Sequence, residues 1–233
     1  MQRRVIRRCD RVLTSSRETA REIQRAFRVS PEKIRMVYNR LDADFFRPLN
    51  GEPERPSSLL FVGNTDDSKK GILYLLQALT LLPEKVTLTI VDQGAPFKAY
   101  APELVQRFRL TSRVTFTGKV SPEVLRQLYT SSEAVVLPSL YEGFGLPAAE
   151  SMACGTPGIG TRAGALPEVV GEEGAGILVP ARNPQALAQA IRELLRDPER
   201  RKKMGIAGRQ RVEKLFTWER VAEQTVEVYK ELL

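Results

Sequence analysis

The sequence predicts an α/β fold built on a doubly wound parallel sheet. From residue 59 onward, short apolar runs alternate with longer amphipathic stretches that have the spacing of helices. Alternation at these lengths is typical of βαβ units, whose strands are parallel. Glycine-rich and polar segments follow several of the apolar runs. Because ligands of such sheets bind beyond the carboxyl ends of the strands, we expect the functional residues in these loops.

A smaller unit is predicted ahead of this sheet. Residues 10–14 have the pattern of a short strand, and Ser16 can cap a helix from about Arg17 to Phe27. A second extended run covers Ile34–Tyr38. The segment Pro48–Ser58 is rich in proline, glutamate and glycine, which predicts a linker between two domains.

The strands and helices of the main sheet then alternate in order. Apolar runs predict strands at Leu59–Val62, Val86–Val91, Val114–Thr117, Ala134–Leu137, Gly158–Gly160 and Gly176–Val179. The segments between and after them predict helices at Gly71–Leu82, Phe97–Leu110, Pro122–Thr130, Leu146–Ala153 and Pro184–Leu195. Two more helices, at about Pro198–Leu215 and Thr217–Leu232, are predicted to close the chain.

Composition and charge exclude several classes of protein. The 233 residues are 42% hydrophobic and 27% charged, and no apolar run approaches the length of a membrane span. Cys9 and Cys154 are far apart, so we expect a reduced, cytoplasmic environment. The net charge of +8 comes without a nucleic-acid recognition motif, so no nucleic-acid partner is expected. Solvated arginine-rich helix faces explain this charge best, and peripheral contact with anionic lipid is the weaker alternative.

The most informative segment is the predicted turn between a strand and a helix at residues 142–150. It carries two glycines between two carboxylates, Glu142 in the loop and Glu150 about one turn into the helix, with Pro147 suited to the first turn. Glycines allow a ligand to approach the backbone, and a helix start favours an anion. The two carboxylates could accept hydrogen bonds from hydroxyls at the two ends of a ligand. An anion flanked by two hydroxyl-bearing groups describes a nucleotide-sugar. The alternative is a tight turn whose glutamates are a capping residue and a solvated side chain.

The longer context of this segment carries a family resemblance. Residues 139–157 closely resemble the Glu-x7-Glu region of retaining glycosyltransferases of the GT-B fold, family 4. The resemblance covers nearly the whole chain in order, through segments at residues 37–39, 42–48, 61–63, 164–170, 176–180 and 216–220. It implies two Rossmann-like domains that face each other across a cleft, an acceptor domain and a donor domain.

The resemblance also implies a division of this chain. Residues 1–47 match the end of the acceptor domain, residues 48–58 a linker, and residues 59–215 the whole nucleotide-sugar-binding domain. Residues 216–233 match the final helix, which crosses back to the acceptor domain in the family. We therefore expect the two ends of the chain to form a small helical satellite.

Site residues follow from the resemblance, position by position. Glu142 and Lys70 match the catalytic glutamate and the lysine that contacts the diphosphate. Glu150 matches the glutamate that binds the ribose hydroxyls. The remaining donor-binding positions are Asn64, Lys69, Lys119, Val120, Gly143, Phe144, Gly145 and Leu146. Asn64 stands where the family has an arginine, and Lys69 can compensate for the missing charge.

The resemblance implies no cofactor and no metal, because helix dipoles and basic side chains handle the leaving diphosphate. Asp66 and Asp67 are expected to be turn formers rather than ligands. The donor base, the sugar and the acceptor stay unknown, as does whether Glu142 is a nucleophile or a stabiliser. The segment Gly164–Glu168 is expected to be loop architecture outside the site.

Three functions are compatible with these residues. The first is the donor-binding part of a retaining glycosyltransferase that moves a sugar from a nucleotide-sugar to an acceptor. The second is a nucleotide-sugar-binding module that performs no transfer without an acceptor domain. The third, which the Glu-x7-Glu pattern disfavours, is an epimerase.

The apolar residues near both ends of the chain predict contact between the ends, away from the nucleotide. These residues form two sets, one near each end of the chain. Each set lies on a segment too short to bury its apolar face alone, so we expect the two sets to bury each other. The two sets are Val12, Ile23, Phe27, Ile34 and Val37, and Trp218, Val221, Val226, Tyr229, Leu232 and Leu233. Apolar surface left exposed would promote self-association.

Overall fold

A computed structural model describes residues 5–92, 100–171 and 174–233. Its main feature is a six-stranded parallel sheet. A separate N-terminal pair consists of β1 Val12–Thr14 and β2 Ile34–Met36. The main sheet consists of β3 Arg55–Val62, β4 Thr87–Val91, β5 Val114–Phe116, β6 Ser132–Leu137, β7 Gly158–Thr161 and β8 Gly176–Val179. The six strands of the main sheet lie in the order β5-β4-β3-β6-β7-β8. This is the order of a doubly wound, dinucleotide-binding fold, so the predicted fold class is confirmed.

Helices cover both faces of this sheet. They are α1 Arg17–Phe27, α2 Ile72–Thr80, α3 Tyr100–Arg107, α4 Pro122–Ser131, α5 Leu146–Ala153, α6 Leu166–Val170, α7 Pro184–Arg196, α8 Pro198–Leu215 and α9 Trp218–Lys230. One apolar core lies under α2, α3 and α7, and the other under α4, α5, α6 and α8. In β3, Leu59 and Phe61 enter the first core and Leu60 and Val62 the second. This alternation is the two-residue period of a strand buried on both faces.

The predicted elements are present, with differences at their ends. β3 begins at Arg55 rather than Leu59, so its first residues come from the segment predicted as a linker. The helix predicted at Phe97–Leu110 is observed at Tyr100–Arg107, and residues 97–99 lie outside the described residues. The helix α6 was not predicted, because five residues are too few to show helical periodicity.

The N-terminal unit, which we define as β1, α1 and β2, has its own two-stranded parallel sheet. Its helix begins and ends as predicted, with the Ser16 side chain accepting a hydrogen bond from the Thr19 backbone N–H. Along the described residues, no helix combines the length and apolar composition needed to cross a membrane.

The ends of the chain are in contact, as predicted, and charged side chains form part of this contact. Glu231 accepts hydrogen bonds from Arg11 Nε at 2.7 Å and from Arg35 Nε at 2.8 Å. The Arg40 guanidinium lies 3.4 Å from the centre of the Trp218 ring. The expected apolar burial is wrong for most of the C-terminal segment. Trp218, Val226 and Tyr229 in α9 are exposed, and so are Leu232 and Leu233 after it.

We expect replacement of Glu231 by glutamine to weaken this contact in a pH-dependent way. Hydrogen bonds from Arg35 and Arg11 lower the pKa of Glu231 from 4.5 to about 2. The contribution of Glu231 to stability is therefore complete above the ordinary glutamate pKa, and it is lost as the pH falls through about 2. The difference in melting temperature between the wild type and the variant should vanish over this range. Glu227→Gln, which removes a pair with the exposed Lys230, is the matched control.

Candidate functional site

The loops after β3 and β6 meet at the centre of the sheet. β3 and β6 are adjacent parallel strands, and the chain leaves them toward opposite edges, to β4 and to β7. Such a reversal of strand order opens a crevice at the carboxyl ends of the two strands, which is where ligands of this fold bind. The residues predicted as catalytic come from these two loops.

The loop after β3 is shaped by its own polar side chains. Asn64 Oδ1 accepts from the Asp66 backbone N–H at 2.9 Å, and Asp67 Oδ1 accepts from the Lys69 N–H at 3.0 Å. Asp67 thus caps a 3-10 turn at Ser68–Lys70, which confirms its role as a turn former. Asn64 is exposed at the start of this loop, where its oxygen is engaged by the turn.

Gly71 brings this loop against the loop after β6. Its φ of +70° is in the left-handed region, and a Cβ there would lie 2.0 Å from the Pro138 carbonyl oxygen. Only glycine fits both conditions. The Leu140 backbone N–H also donates to the Lys69 carbonyl oxygen at 2.7 Å. The two loops are therefore fixed to each other next to Lys70.

Lys70 and Glu142 form an ion pair, with 2.7 Å between Lys70 Nζ and Glu142 Oε1. The same oxygen accepts a hydrogen bond from Ser139 Oγ at 3.0 Å. Glu142 is 7% exposed and Lys70 is half-buried. A carboxylate this deep needs such partners, because burial without them costs several kcal/mol. The structure thus brings together the two residues that the sequence assigned to catalysis.

The backbone of Glu142 is held from the other side by the loop before α6. The Ala165 N–H donates to the Glu142 carbonyl oxygen at 2.8 Å. A Cβ at Gly164, whose φ is +56°, would lie 2.2 Å from that oxygen. The prediction of loop architecture for Gly164–Glu168 is therefore incomplete, because this segment fixes the loop that carries Glu142 and continues into α6.

The helix α5 begins directly after this loop, with Gly145 at the N-cap and Pro147 in its first turn. Among the described residues, no side chain caps this end, so the helix start carries its partial positive charge uncompensated. Phe144 is buried, and its ring packs against Tyr38 and Phe216. Only the backbone of Phe144 is therefore suited to ligand contact, whereas Gly143 and Leu146 are at least partly open to solvent.

Glu150 lies one turn into α5, and its Oε2 accepts a hydrogen bond from the Tyr129 hydroxyl at 2.7 Å. Burial raises the pKa of Glu150, and the Tyr129 hydrogen bond opposes this shift. Burial, followed by the charge of Glu150, raises the pKa of Tyr129 well above its ordinary value. Tyr129 therefore keeps its proton and orients the carboxylate as a fixed acceptor.

The remaining predicted residues lie around this centre. The side chain of Lys69 is exposed, with its Nζ 5.8 Å from the centre of the Tyr141 ring. Lys119 is exposed in the loop after β5, the edge strand that lies two strands away from β3. Val120 packs against the core beside α4. Lys119 and Val120 are thus separated from the Lys70–Glu142 pair by a strand of the sheet.

Sequence reasoning missed several residues that shape the site. Ser139 stands inside the motif segment, but nothing in the pattern showed that its hydroxyl binds Glu142. Thr65 is fully buried and donates to the Asp92 carboxylate, which ties the loop after β3 to the end of β4. Thr19 Oγ1 donates to the Gly143 carbonyl oxygen at 3.2 Å. The N-terminal unit therefore contacts the loop that carries Glu142. It was predicted to lie away from the nucleotide, whose position stays a prediction.

A cavity of about 900 Å³ lies at the opposite edge of the sheet, between β8 and α8, lined by Arg162, Leu178 and Lys203 among others. Neither Lys70 nor Glu142 is among the described residues that line it. Within the described ranges, there is no group of three or more His, Cys, Asp or Glu side chains that could hold a metal ion. Independence from metal stays a prediction.

Family models match both parts of the chain. Residues 42–211 match the model described as glycosyl transferases group 1. Residues 1–45 match the model described as glycosyltransferase family 4. The first match covers the whole six-stranded sheet and the site.

Individual proteins extend the similarity over the full length of the chain. It is 36% identical over 237 aligned residues to the MMP alpha-(1->4)-mannosyltransferase of Mycolicibacterium hassiacum, covering 100% of this chain and 57% of that protein. The sucrose-phosphate synthase of Thermosynechococcus elongatus superposes with a TM-score of 0.87 at 32% identity, over 99% of this chain and 60% of that one.

Anabaena HepE in complex with UDP-glucose has the same fold, with a TM-score of 0.89 at 22% identity over 98% of this chain and 66% of HepE. The chain thus spans about three fifths of the mannosyltransferase and of the synthase. Because the group 1 model matches most of this chain, including every residue of the Lys70–Glu142 site, the chain belongs to the glycosyl transferases group 1 family.

Proposed function

We propose that this chain binds a nucleotide-sugar and supplies the donor-binding part of a retaining glycosyltransferase. The observation that carries the proposal is the Lys70–Glu142 pair, 2.7 Å apart beside the uncapped start of α5. It offers a cation and a helix dipole for a diphosphate, and a carboxylate for the sugar. The pair lies at the strand reversal, where this fold binds its ligands.

The relatives support a transferase rather than another nucleotide-sugar enzyme. One is named a mannosyltransferase and another a sucrose-phosphate synthase, and HepE was crystallised with UDP-glucose. The transfer reaction, its donor and its acceptor are proposals for this chain, because it spans only 57% and 60% of the first two proteins.

The Lys70–Glu142 ion pair suggests how the donor is received. We propose that Lys70 leaves Glu142 when a diphosphate arrives, and that the ammonium then neutralises charge on the leaving group. The start of α5 stabilises the same charge through its backbone N–H groups. Glu142, freed from Lys70, accepts hydrogen bonds from sugar hydroxyls and faces the positive charge that develops on the sugar. No metal is required for these steps.

An orienting role for Glu142 fits its contacts better than a nucleophilic one. Lys70 and Ser139 both donate to the same oxygen of Glu142, which lowers its nucleophilicity. After Lys70 moves to the diphosphate, Ser139 still holds the carboxylate in place. We therefore propose that Glu142 orients the sugar and stabilises positive charge at its anomeric carbon.

Glu150 is proposed to bind the ribose of the donor. Tyr129 engages only Oε2, so the rest of the carboxylate stays available for two neighbouring hydroxyls. The alternative function is a binding module that performs no transfer by itself. For these 233 residues tested by themselves, we propose binding without robust transfer. Contact with anionic lipid and self-association stay predictions.

We expect calorimetry to detect binding of a nucleoside diphosphate and its sugar conjugate in the presence of a chelator. The panel should contain diphosphates of all common bases and their glucose and mannose conjugates, each with EDTA and with magnesium. Binding that occurs only with magnesium would contradict the assignment of the diphosphate to Lys70 and α5. Robust transfer to a simple acceptor by this chain alone would contradict the binding-module alternative.

A further inference from the structure

We infer that helix α1 is a positioning element for the sugar-binding carboxylate, with Thr19 and Glu22 holding the residues on both sides of Glu142. This inference rests on the proposed function of Glu142 and extends the donor site into the N-terminal unit. It assigns a role to three residues, Thr19, Glu22 and Glu168, that lie outside the predicted site.

The first hold is on Gly143. Ser16 Oγ donates to Thr19 Oγ1 at 2.9 Å, and Thr19 Oγ1 donates to the Gly143 carbonyl oxygen at 3.2 Å. Ser16 is fully buried and is also the N-cap of α1. The hydroxyl of Thr19 is thus oriented by the helix itself, and a side chain without this hydroxyl would release Gly143.

The second hold is on Tyr141. Its hydroxyl donates to the carboxylate of Glu22, which lies one turn after Thr19 on α1. Burial and the bond to Glu22 raise the pKa of Tyr141, so the hydroxyl keeps its proton and stays a donor at neutral pH. The two residues that flank Glu142 in the chain are therefore both bound to the same helix.

The helix is fixed by Glu168. Its Oε2 accepts from the Arg17 N–H at 2.9 Å and its Oε1 from the Glu18 N–H at 3.0 Å. A carboxylate at the positive end of a helix is favourable, and here it comes from a residue 151 positions away in the chain. The Arg211 side chain in turn donates to the backbone oxygens of Glu168 and Val169.

These contacts matter most when a donor is bound. In the structure the Glu142 carboxylate accepts hydrogen bonds from Lys70 and Ser139. Once Lys70 turns to the diphosphate, the position of the carboxylate depends on Ser139, on Ala165 and on the two hydrogen bonds between α1 and the residues beside Glu142. A shift of α1 would therefore move Glu142 relative to the sugar while the diphosphate contacts of Lys70 and α5 stay intact.

The test uses the complete chain with Thr19→Val, Tyr141→Phe and the double variant. Thr19→Ser, which keeps the hydroxyl, is the rescue, and Thr80→Val, which removes a hydroxyl bound inside α2, is the control. Deuterium exchange is followed in peptides that contain residues 140–147, and the binding of UDP and UDP-glucose is measured by calorimetry. Glu168→Gln, which removes the charge at the start of α1, is a further variant.

We expect faster exchange at residues 140–147 in Thr19→Val, a larger effect in the double variant and restoration in Thr19→Ser. The preference for UDP-glucose over UDP should fall about three- to tenfold, the range of one lost hydrogen bond, with UDP affinity unchanged. Unchanged exchange at residues 140–147, or equal losses for both ligands, would overturn the inference. Failure of the wild type to bind either ligand would count against the proposed donor instead, and the exchange data would still decide the role of α1.

Discussion

Replacement of Glu150 by alanine is expected to weaken nucleoside diphosphate binding about ten- to a hundredfold. On the proposed role of Glu150, the change removes an acceptor for the ribose, and one lost hydrogen bond to a charged group costs about 1.5–3 kcal/mol. It also leaves the buried Tyr129 hydroxyl without its acceptor. Calorimetry with UDP and UDP-glucose, or with the base that the panel identifies, measures the loss.

The same carboxylate should make binding sensitive to acid. Burial raises the pKa of Glu150, so it takes up a proton at a higher pH than an exposed glutamate does. A protonated carboxyl is a poorer acceptor. As the pH is lowered, the affinity should therefore begin to fall at a pH above the range in which exposed glutamates take up a proton. The terminal phosphate of a free diphosphate ligand also takes up a proton, at about pH 6. Glu150→Gln removes the contribution of the protein and is the reference for this measurement.

Glu142→Ala is the contrasting variant for this prediction. It removes the partner of Lys70, which becomes free to bind phosphate, so the affinity for the free diphosphate should be maintained or increase. The preference for the sugar conjugate should fall instead. Equal losses of free diphosphate affinity in Glu142→Ala and Glu150→Ala would contradict the division between sugar and ribose.

Much of this site was predictable because it depends on local pattern. The strands around Lys70 and Glu142 are continuous apolar runs, and the carboxyl ends of parallel strands meet at one edge of the sheet. The loops that carry the two residues were therefore expected at the ligand-binding edge of the sheet. The family resemblance added the roles, and the structure added the distance between the two side chains.

The parts that were not predictable depend on contacts between distant segments. Nothing near Glu168 in the sequence indicates that it caps a helix 151 positions earlier. The Tyr129–Glu150 bond joins two helices, and either residue alone looks like a core aromatic or a helix-face glutamate. The ends of the chain were predicted to meet through apolar side chains, whereas the contact includes Glu231 with two arginines and Arg40 on the Trp218 ring. Sequence pattern identifies elements and loops, but contacts between residues far apart in the chain become visible only in the packed structure.

Removal of one partner of the buried Arg201–Glu133 ion pair is expected to cost about 3–5 kcal/mol of folding free energy. Arg201 is 5% exposed and Glu133 is 8% exposed, with 2.6 Å between Arg201 Nη2 and Glu133 Oε1. The pair ties α8 to the start of β6, and Glu133 Oε2 also accepts from the Ser57 N–H of β3 at 2.6 Å. Arg201→Met leaves an unpaired buried carboxylate, so urea unfolding should show the full loss.

Two matched variants separate the buried charge from the loss of side-chain volume. Glu54→Gln removes the exposed second partner of Arg201, and we expect less than about 1 kcal/mol. Arg201→Met combined with Glu133→Leu removes both charges and should recover most of the stability, because no buried charge is left unpaired. The pair lies at the amino ends of β3 and β6, opposite the Lys70–Glu142 site, so variants that stay folded should bind nucleotide as the wild type does. A small loss in Arg201→Met, or a double variant as unstable as the single one, would show that the pair does not hold these strands to α8.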